Sequence, residues 1–346
     1  MSAKTESCEV FLSPPSRGAP DDLRQQLQTM LREDADIDIA SQQMSDRGVV
    51  SAMADIRSLR NRRARVFVES RYLKESNPLP ANAIWHPGGA YEQHRECFSA
   101  LSRAGIDVRA DVVTSALQHI NFIRLDRESS PKLLLSSANF APGSIDRHLN
   151  WSVVLSSSRV LESIEQAFDA MWDGDFRDVG TAISIAETEG LSGRFALGAN
   201  AEAVDELVTA IDLASERIRF AYFVMSQDTQ VVAALLRAAD RGVDVAGIVD
   251  ADQGTQRWNA VPQLRDGGVD ARYYPGALTG ASGRMHHKTV VCDRKVLCLT
   301  SANASKAATR SLEFALLLHD ETLSSFVDKE ILRLGANASI RRILFP

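Results

Sequence analysis

Two periods alternate in the pattern of apolar and polar residues along the chain. Apolar residues at every second position or in short runs predict strands, whereas apolar residues three and four apart predict helices. The first part of the chain has the predicted order strand, helix, strand, helix, strand at residues 8–13, 23–31, 37–40, 49–56 and 65–68. The second part repeats that order at residues 194–197, 203–214, 217–223, 229–239 and 243–250. This recurrence predicts a duplicated βαβαβ unit.

Short matching sequences support the duplication. The dipeptide Met44-Ser45 has its counterpart in Met225-Ser226, which occupies the same place in the second unit. The acidic segment from Leu161 to Thr188 is predicted to be a terminal helix followed by a linker. We therefore assign residues 1–185 to a first repeat and residues 186–346 to a second repeat.

One stretch of the second repeat is rich in candidate chemistry. Its polar residues are His286, Lys288, Asp293, Ser301 and Asn303. Alternation in the strand predicted at 289–292 turns His286 and Lys288 to one face and His287 to the opposite face. Ser301 and Asn303 end the next strand and can reach the same place. An imidazole, an ammonium group and two neutral hydrogen-bonding groups on one surface suit a phosphoryl group.

The first repeat carries an altered version of this stretch. The residues at the matching positions are His119, Asn121, Asp126, Ser137 and Asn139. Asn121 therefore stands where the second repeat has Lys288. Further along, Asn150 occupies the position that corresponds to Glu313.

The pattern of the second repeat, His-x-Lys-x4-Asp followed by Thr-Ser-x-Asn and then by Glu313, resembles the signature of the phospholipase D superfamily. That family usually has Gly where this chain has Thr300. The resemblance implies an α/β fold of two phospholipase D-like repeats, each a mixed sheet flanked by helices, that form a pseudo-twofold dimer in one chain. The segments 214–219, 241–245 and 303–308 also look like the small bacterial endonuclease branch of the superfamily.

The resemblance also implies a mechanism. The expected activity is that of a metal-independent phosphodiesterase, in which one histidine attacks phosphorus and the other protonates the leaving alcohol and then activates water. His119 and His286 would be this pair, and neither a metal nor a cofactor is expected. Lys288 with Asn121, Asn139 and Asn303 would hold the phosphoryl oxygens, supported by Ser137 and Ser301. Asp126 and Asp293 would hold the turns after the motif strands.

Which histidine is the nucleophile depends on where its orienting partner comes from. A carboxylate on the second ring nitrogen fixes the tautomer and stabilises the cation that forms on attack. If the partner comes from the opposite half, Glu313 serves His119 and Asn150 serves His286, which favours His119 as the nucleophile. If each partner serves its own half, the assignment is reversed.

Asn121 puts the activity in question. Replacing an ammonium by an amide removes one charge beside the transition state, where a preorganised donor is worth roughly 3 kcal/mol. Arg124 and Arg127 are the candidates to supply the missing charge. The alternative is a non-catalytic module that binds phosphate groups.

Composition narrows the partners and the compartment. A net charge of −6 on 346 residues argues against a large nonspecific nucleic-acid surface, although a local basic groove remains compatible. No apolar run approaches the roughly 18 residues of a membrane span, and the first residues lack the apolar core of a signal peptide, so a cytoplasmic bacterial enzyme is expected. DNA or RNA is the favoured phosphodiester substrate, with lipid head groups as the alternative. A monomer suffices for the site, and an oligomer is compatible with it.

Overall fold

The computed structural model describes residues 2–13, 23–60, 62–74, 89, 91–111, 117–127, 130–175, 179–185, 190–199, 201–254, 256–275, 283–336 and 338. A loop beside the site is the sequence-based expectation for the segment from Lys74 to Gln93, and most of that segment lies outside these residues.

The first repeat forms an eight-stranded sheet with order β1-β2-β8-β7-β6-β3-β4-β5. Its strands are β1 Ser2–Lys4, β2 Cys8–Ser13, β3 Asp36–Ser41, β4 Ala64–Val68, β5 Asp107–Ala110, β6 Phe122–Asp126, β7 Lys132–Ser136 and β8 Asn150–Leu155. Its helices are α1 Leu23–Leu31, α2 Arg47–Arg60, α3 Glu92–Arg103, α4 Pro142–Asp146 and α5 Ser158–Asp173, with a 3₁₀ turn at Ser70–Leu73. The neighbours β3, β4 and β5 pair in parallel, and the other pairs are antiparallel.

The second repeat forms an eight-stranded sheet with order β13-β12-β11-β14-β15-β16-β10-β9. Its strands are β9 Gly180–Ile185, β10 Gly193–Gly198, β11 Arg217–Tyr222, β12 Asp244–Asp250, β13 Asp270–Tyr274, β14 Lys288–Cys292, β15 Val296–Thr300 and β16 Glu313–His319. Its helices are α6 Glu202–Leu213, α7 Gln230–Asp240, α8 Ala251–Gly254, α9 Val261–Asp266 and α10 Glu321–Gly335. Read from opposite ends, the two sheets have the same strand order, which confirms the predicted fold of two α/β repeats.

The two sheets divide the chain slightly earlier than the proposed boundary at residue 185. Strand β9 is the edge strand of the second sheet and pairs with β10, although the sequence analysis placed it in the first repeat. The first sheet's last helix, α5, ends at Asp173. The change of sheet therefore falls between residues 173 and 180.

A shared core joins the repeats. One buried cluster takes apolar side chains from both sheets, including Trp151 of β8 and Phe314 of β16, whose rings meet edge to face with centroids 5.9 Å apart. The terminal helix of each repeat also contacts the edge strand of the other, since α5 packs on β9 and α10 packs on β1. Burial of this much apolar surface fixes the repeats as a pseudo-twofold pair.

Backbone pairing forms a seam between the repeats beside the two motifs. His119 N donates to Leu312 O at 3.1 Å, and Leu312 N donates to the carbonyl of residue 117 at 2.8 Å. The related pair is His286 N to Leu149 O at 2.8 Å and Leu149 N to the carbonyl of residue 284 at 2.8 Å. Each motif histidine is therefore paired with the residue that precedes Glu313 or Asn150 in the other repeat.

Candidate active site

The second-repeat motif places an imidazole against an ammonium group. Lys288 is the first residue of β14, and alternation along the chain puts its side chain on the same face as His286. Its Nζ lies 3.2 Å from both ring nitrogens of His286. Phe223 covers the pair, with its ring centroid 4.8 Å from that of His286 and 5.8 Å from Lys288 Nζ. All three belong to the second repeat.

The carboxylate at the site reaches across the seam to the other repeat. Both oxygens of Glu313, on β16, lie 2.9 Å from His119 Nδ1. Ser301 Oγ donates to Glu313 Oε2 at 2.5 Å. Because Nδ1 donates to the carboxylate, the neutral ring of His119 has its lone pair on Nε2.

An amide occupies the related position beside His286. Asn150 Oδ1 lies 3.0 Å from His286 Nδ1 and also accepts from Ser137 Oγ at 3.0 Å. The Asn150 Nδ2 group donates to the carbonyls of Ser144 at 2.8 Å and His148 at 3.2 Å, which fixes the amide with its oxygen toward His286. Of the two arrangements left open by the sequence, the structure has the one in which each partner comes from the opposite half.

The Asn121 position contains a cluster of neutral polar groups. Asn121 Oδ1 accepts from Ser41 Oγ at 2.9 Å and from Gln42 N at 3.1 Å. Gln42 Oε1 in turn accepts from Asn139 Nδ2 at 3.2 Å. Strand register places Gln42 where the second repeat has Phe223. The residues around Asn121 therefore differ from those around Lys288 as well, and they satisfy an amide rather than an ammonium group.

The expectation that an arginine replaces the missing lysine is wrong. Arg124 lies on β6 and pairs with Asp38 at 3.0 Å and with Glu165 at 2.8 Å. Arg127 pairs with Glu33 at 2.6 Å. Both guanidinium groups are held by carboxylates and do not take the place of the lysine.

The remaining predicted residues differ between the repeats. Asn303 Oδ1 accepts from Val224 N at 3.3 Å, next to the site. Asp293 begins the three-residue turn between β14 and β15 and accepts from the backbone N–H groups of residues 215, 216 and 217. Asp126 is about half exposed and contacts Arg124 at 3.4 Å. Asp293 therefore holds its motif hairpin more firmly than Asp126 does.

Burial sets the charge state of the second-repeat pair. Removal from water lowers the pKa of Lys288 to about 7, against the opposing attraction of Glu313. Burial, and then the positive charge of Lys288, hold the pKa of His286 well below its usual range. His286 is therefore neutral at neutral pH, beside an ammonium group that readily gives up its proton.

Two buried carboxylates that the sequence analysis did not single out hold the backbone before each histidine. Glu69, directly after β4, accepts from Gln118 N at 2.8 Å. Asp250, the last residue of β12, accepts from Met285 N at 2.8 Å and from the N–H groups of residues 252 and 253. Burial raises the pKa of Asp250 to about 7. Their repeat-related places, each after a valine at a parallel strand end, are the signal that would have found them.

The neighbouring histidines have different surroundings. His287 is buried on the opposite face, as alternation predicts, and burial lowers its pKa to about 3. His148 lies at the site, with its ring centroid 5.9 Å from that of His286. Within the described ranges, no group of three or more His, Cys, Asp or Glu side chains is arranged to hold a metal ion. Nor does any described helix have the length and apolar character of a membrane span.

This geometry defines a two-histidine site at the seam of a duplicated α/β fold. A family model described as "Cardiolipin synthase, PLD-like domain" matches residues 27–172 and 207–334, which is well over half of the chain. The chain therefore belongs to the phospholipase D superfamily, a family of phosphoryl-transfer proteins. A comparison with curated proteins found no match.

Two solved structures show the same fold at low identity. Phosphatidylserine synthase from Haemophilus influenzae Rd KW20 superposes with a TM-score of 0.70 at 14% identity, over 99% of this chain and 89% of that chain. Polyphosphate kinase from Porphyromonas gingivalis gives a TM-score of 0.63 at 13% identity over 97% of this chain, which spans only 52% of the kinase. Nuc from Salmonella typhimurium, a phospholipase D family member, is 23% identical, with a TM-score of 0.40, over 44% of this chain and 99% of its own.

Proposed function

We propose that the protein is a metal-independent phosphodiesterase that works through a phosphohistidine on His119, with a nucleic acid as substrate. The observation that carries this proposal is the asymmetry of the two histidines. His119 has a carboxylate on Nδ1, whereas His286 has an amide there and an ammonium group 3.2 Å away. A carboxylate partner suits the ring that becomes cationic when it bonds to phosphorus.

In the first step, the Nε2 lone pair of His119 attacks phosphorus and the bond from phosphorus to the leaving oxygen breaks. Glu313 stabilises the positive charge that develops on the His119 ring. Lys288 Nζ passes a proton to Nε2 of His286, and that nitrogen gives it to the leaving oxygen, so the lysine ends the step neutral. The proton therefore belongs to the His286–Lys288 pair, because His286 alone is neutral in the resting site.

In the second step, water attacks phosphorus and the bond to His119 breaks. The proton of the water passes to the His286–Lys288 pair, which restores the starting state. Ser301 and Ser137 act indirectly in this scheme, since their hydroxyl groups hold Glu313 and Asn150. In this scheme four side chains bind the phosphoryl oxygens, namely those of Lys288, Asn303, Asn139 and Asn121.

Replacement of Lys by Asn121 leaves the total charge balanced. The same repeat also has Asn150 in place of a glutamate, so one positive and one negative charge are absent together. The charged groups that remain, Lys288 and Glu313, come from the second repeat, and each acts on a different histidine. We therefore favour an active site over a disabled one.

Two features favour a nucleic acid over a lipid. Segments 214–219, 241–245 and 303–308 resemble the endonuclease branch, and Arg147 and Arg284 lie in the seam next to His286. The lipid alternative is supported by the described family model and by the full-length likeness to phosphatidylserine synthase. Binding to an oligonucleotide at low salt, compared with binding to anionic liposomes, separates the two. Loss of oligonucleotide binding with salt is expected for phosphate contacts, and binding to liposomes alone would contradict the nucleic-acid assignment.

Turnover of bis-p-nitrophenyl phosphate in EDTA tests the catalytic proposal. Wild type should hydrolyse it, and His119→Ala and His286→Ala should each lose at least about 10⁴-fold in steady-state rate, since residues that act as a unit fail together. Undiminished turnover in either variant would contradict the two-histidine site.

The second candidate is a phosphate-binding module, which the two asparagines favour. Asn121→Lys alone should not restore a symmetric site, because it removes the acceptor used by Ser41 and Gln42. The double variant Gln42→Phe/Asn121→Lys recreates the Phe223–Lys288 arrangement. Turnover in this double variant together with an inactive wild type would establish the binding-only reading.

A further inference from the structure

Three basic side chains flank the His286 side of the site. Arg147 and His148 precede Leu149 at the seam, and Arg284 lies two residues before His286. The His148 ring centroid is 5.9 Å from that of His286. Burial lowers the pKa of His148 to about 4, and the positive charges of Arg284, Arg147 and Lys288 add to this effect. These three cations therefore lie close enough to act on the His148 ring.

The seam holds these residues side by side. Gly283 N donates to Arg147 O at 3.0 Å, and Leu149 N donates to Arg284 O at 2.8 Å. The backbones approach so closely that a Cβ on Gly283 would lie 2.0 Å from Arg147 O and 2.6 Å from His148 N. A glycine is therefore required at residue 283. The same pairing places the backbones of Arg147 and Arg284 next to each other.

The fold itself does not require this cluster. In the repeat-related seam, Leu117, Arg310 and Ser311 stand at the positions of Arg284, Arg147 and His148. Ser311 Oγ is bonded locally there, donating to Ala307 O at 3.0 Å and lying 3.4 Å from residue 117 N. The same backbone pairing thus forms with a leucine in place of Arg284 and a serine in place of His148.

Positive charge remains after the local ion pair is counted. Arg284 Nε contacts Asp252 Oδ2 at 3.3 Å, which offsets one charge. Among the described residues, no carboxylate pairs with the Arg147 guanidinium, which is exposed. The neutral His148 ring lies beside His286 and can donate or accept a hydrogen bond. A cationic surface at this place contrasts with the net charge of −6 of the whole chain.

We propose that Arg147, His148 and Arg284 form a subsite for a second phosphate of a nucleic-acid substrate, on the side of the leaving group. This inference rests on the proposed function, in which His286 protonates the leaving oxygen. The group beyond that oxygen then lies toward the cluster. A chain with a phosphate at each nucleotide fills both places, whereas a single phosphodiester fills only the first. Arginine suits such a contact because its planar donors match phosphate oxygens.

The test is binding of a fluorescein-labelled single-stranded oligodeoxynucleotide, followed by anisotropy at several salt concentrations. All proteins in this binding assay also carry His119→Ala, because EDTA does not stop a metal-independent site from cleaving the probe. Arg147→Gln and Arg284→Gln should each weaken binding about 5- to 10-fold and reduce the slope of log K against log salt by about 1. Arg147→Lys keeps the charge and should keep the slope. Arg237→Gln removes an exposed guanidinium that pairs with Asp212 near the far end of α7, and it should change neither quantity.

Turnover of bis-p-nitrophenyl phosphate, which has no second phosphate, is measured on the same variants with His119 intact. The subsite predicts that kcat/KM of Arg147→Gln stays within about 2-fold of wild type. Equal losses on both probes, unchanged oligonucleotide binding in both glutamine variants, or no oligonucleotide binding by the His119→Ala parent would each overturn the subsite. Binding is measured without turnover, so the two proposals can fail separately. If wild type is inactive but Arg147→Gln still weakens oligonucleotide binding, the phosphodiesterase proposal fails and the subsite stands.

Discussion

The two histidines of this site occupy equivalent places in a duplicated fold but have different partners. His119 is paired with Glu313, a carboxylate, and His286 with Asn150, an amide, at nearly equal distances. A carboxylate stabilises a cationic ring, whereas an amide fixes only the tautomer. The fold holds two copies of one geometry, and in the proposed mechanism the partner of each ring separates their chemical roles.

The same division extends to the groups around each ring. Lys288 and Phe223 enclose His286, whereas the corresponding positions beside His119 contain Asn121 and Gln42 in a neutral network. The lysine is thus confined to one side of the site and the carboxylate to the other. A symmetric pair of histidines has no such built-in direction.

Glu313→Gln should have the largest effect among the substitutions that test this difference. It turns the His119 partner into an amide like that of His286, and we expect turnover of bis-p-nitrophenyl phosphate to fall by about 10³-fold. Asn150→Ala is the matched variant and should cost only about 10-fold, because His286 needs no carboxylate. Equal losses in two variants that melt like wild type would remove the basis for assigning different roles.

Glu69→Gln and Asp250→Asn should each lower kcat by about 10- to 100-fold. Either change turns an amide N–H₂ toward a backbone N–H, and an unpaired buried donor costs about 1–3 kcal/mol. Stopped-flow measurement distinguishes the halves, since Glu69→Gln should slow the first release of p-nitrophenol and Asp250→Asn the later turnover. If both variants slow the same step, the two carboxylates do not act on separate histidines.

The proton held by Lys288 predicts an alkaline limb in the pH profile. Since burial lowers the pKa of Lys288 to about 7, kcat/KM for an oligonucleotide, whose leaving alcohol needs the proton, should fall about tenfold per pH unit above that value. Lys288→Arg stays charged and should lose this limb, at a lower maximum rate. The unfolded chain binds this proton up to about pH 10.4, so the Lys288 contribution to the free energy of unfolding should rise with pH between the two values. A wild-type profile that is flat to pH 9 would contradict the assigned proton source.

The two motif aspartates should differ in stability rather than in rate. Asp293→Ala removes the acceptor of three backbone N–H groups at a turn, and we expect a loss of about 1–3 kcal/mol in the free energy of unfolding. Asp126→Ala removes a half-exposed contact with Arg124 and should cost under about 1 kcal/mol. Urea unfolding of both variants measures the difference, and a larger loss in Asp126→Ala would reverse this ranking.

The sequence predicted the parts of the molecule that follow local rules. Strand and helix periods recur in both repeats, and alternation placed His286 and Lys288 on one face because a strand has a period of two. Asp293 was expected to hold the turn after its motif strand, and the positive φ values at 293 and 294 fit a tight hairpin there. These features depend on residues that are close along the chain.

Contacts across the seam were beyond that reasoning. Glu313 and His119 are 194 residues apart, and only the packing of the two sheets decides which histidine each partner meets. The replacement of Lys by Asn121 drew attention to arginines nearby in sequence, but Arg124 points to Asp38 because its strand face is set by the sheet. Long-range packing, rather than motif spacing, completes this site.

Trapping the covalent intermediate tests the central claim most directly. p-Nitrophenolate leaves without a proton, so His286→Ala mixed with bis-p-nitrophenyl phosphate should still release one equivalent of p-nitrophenol per enzyme. It should then stall, because no base activates water. Mass spectrometry of the acid-labile adduct should place the phosphoryl group on His119, and His119→Ala should give no burst. A burst in His119→Ala, with the label on His286, would contradict the account and reverse the two roles.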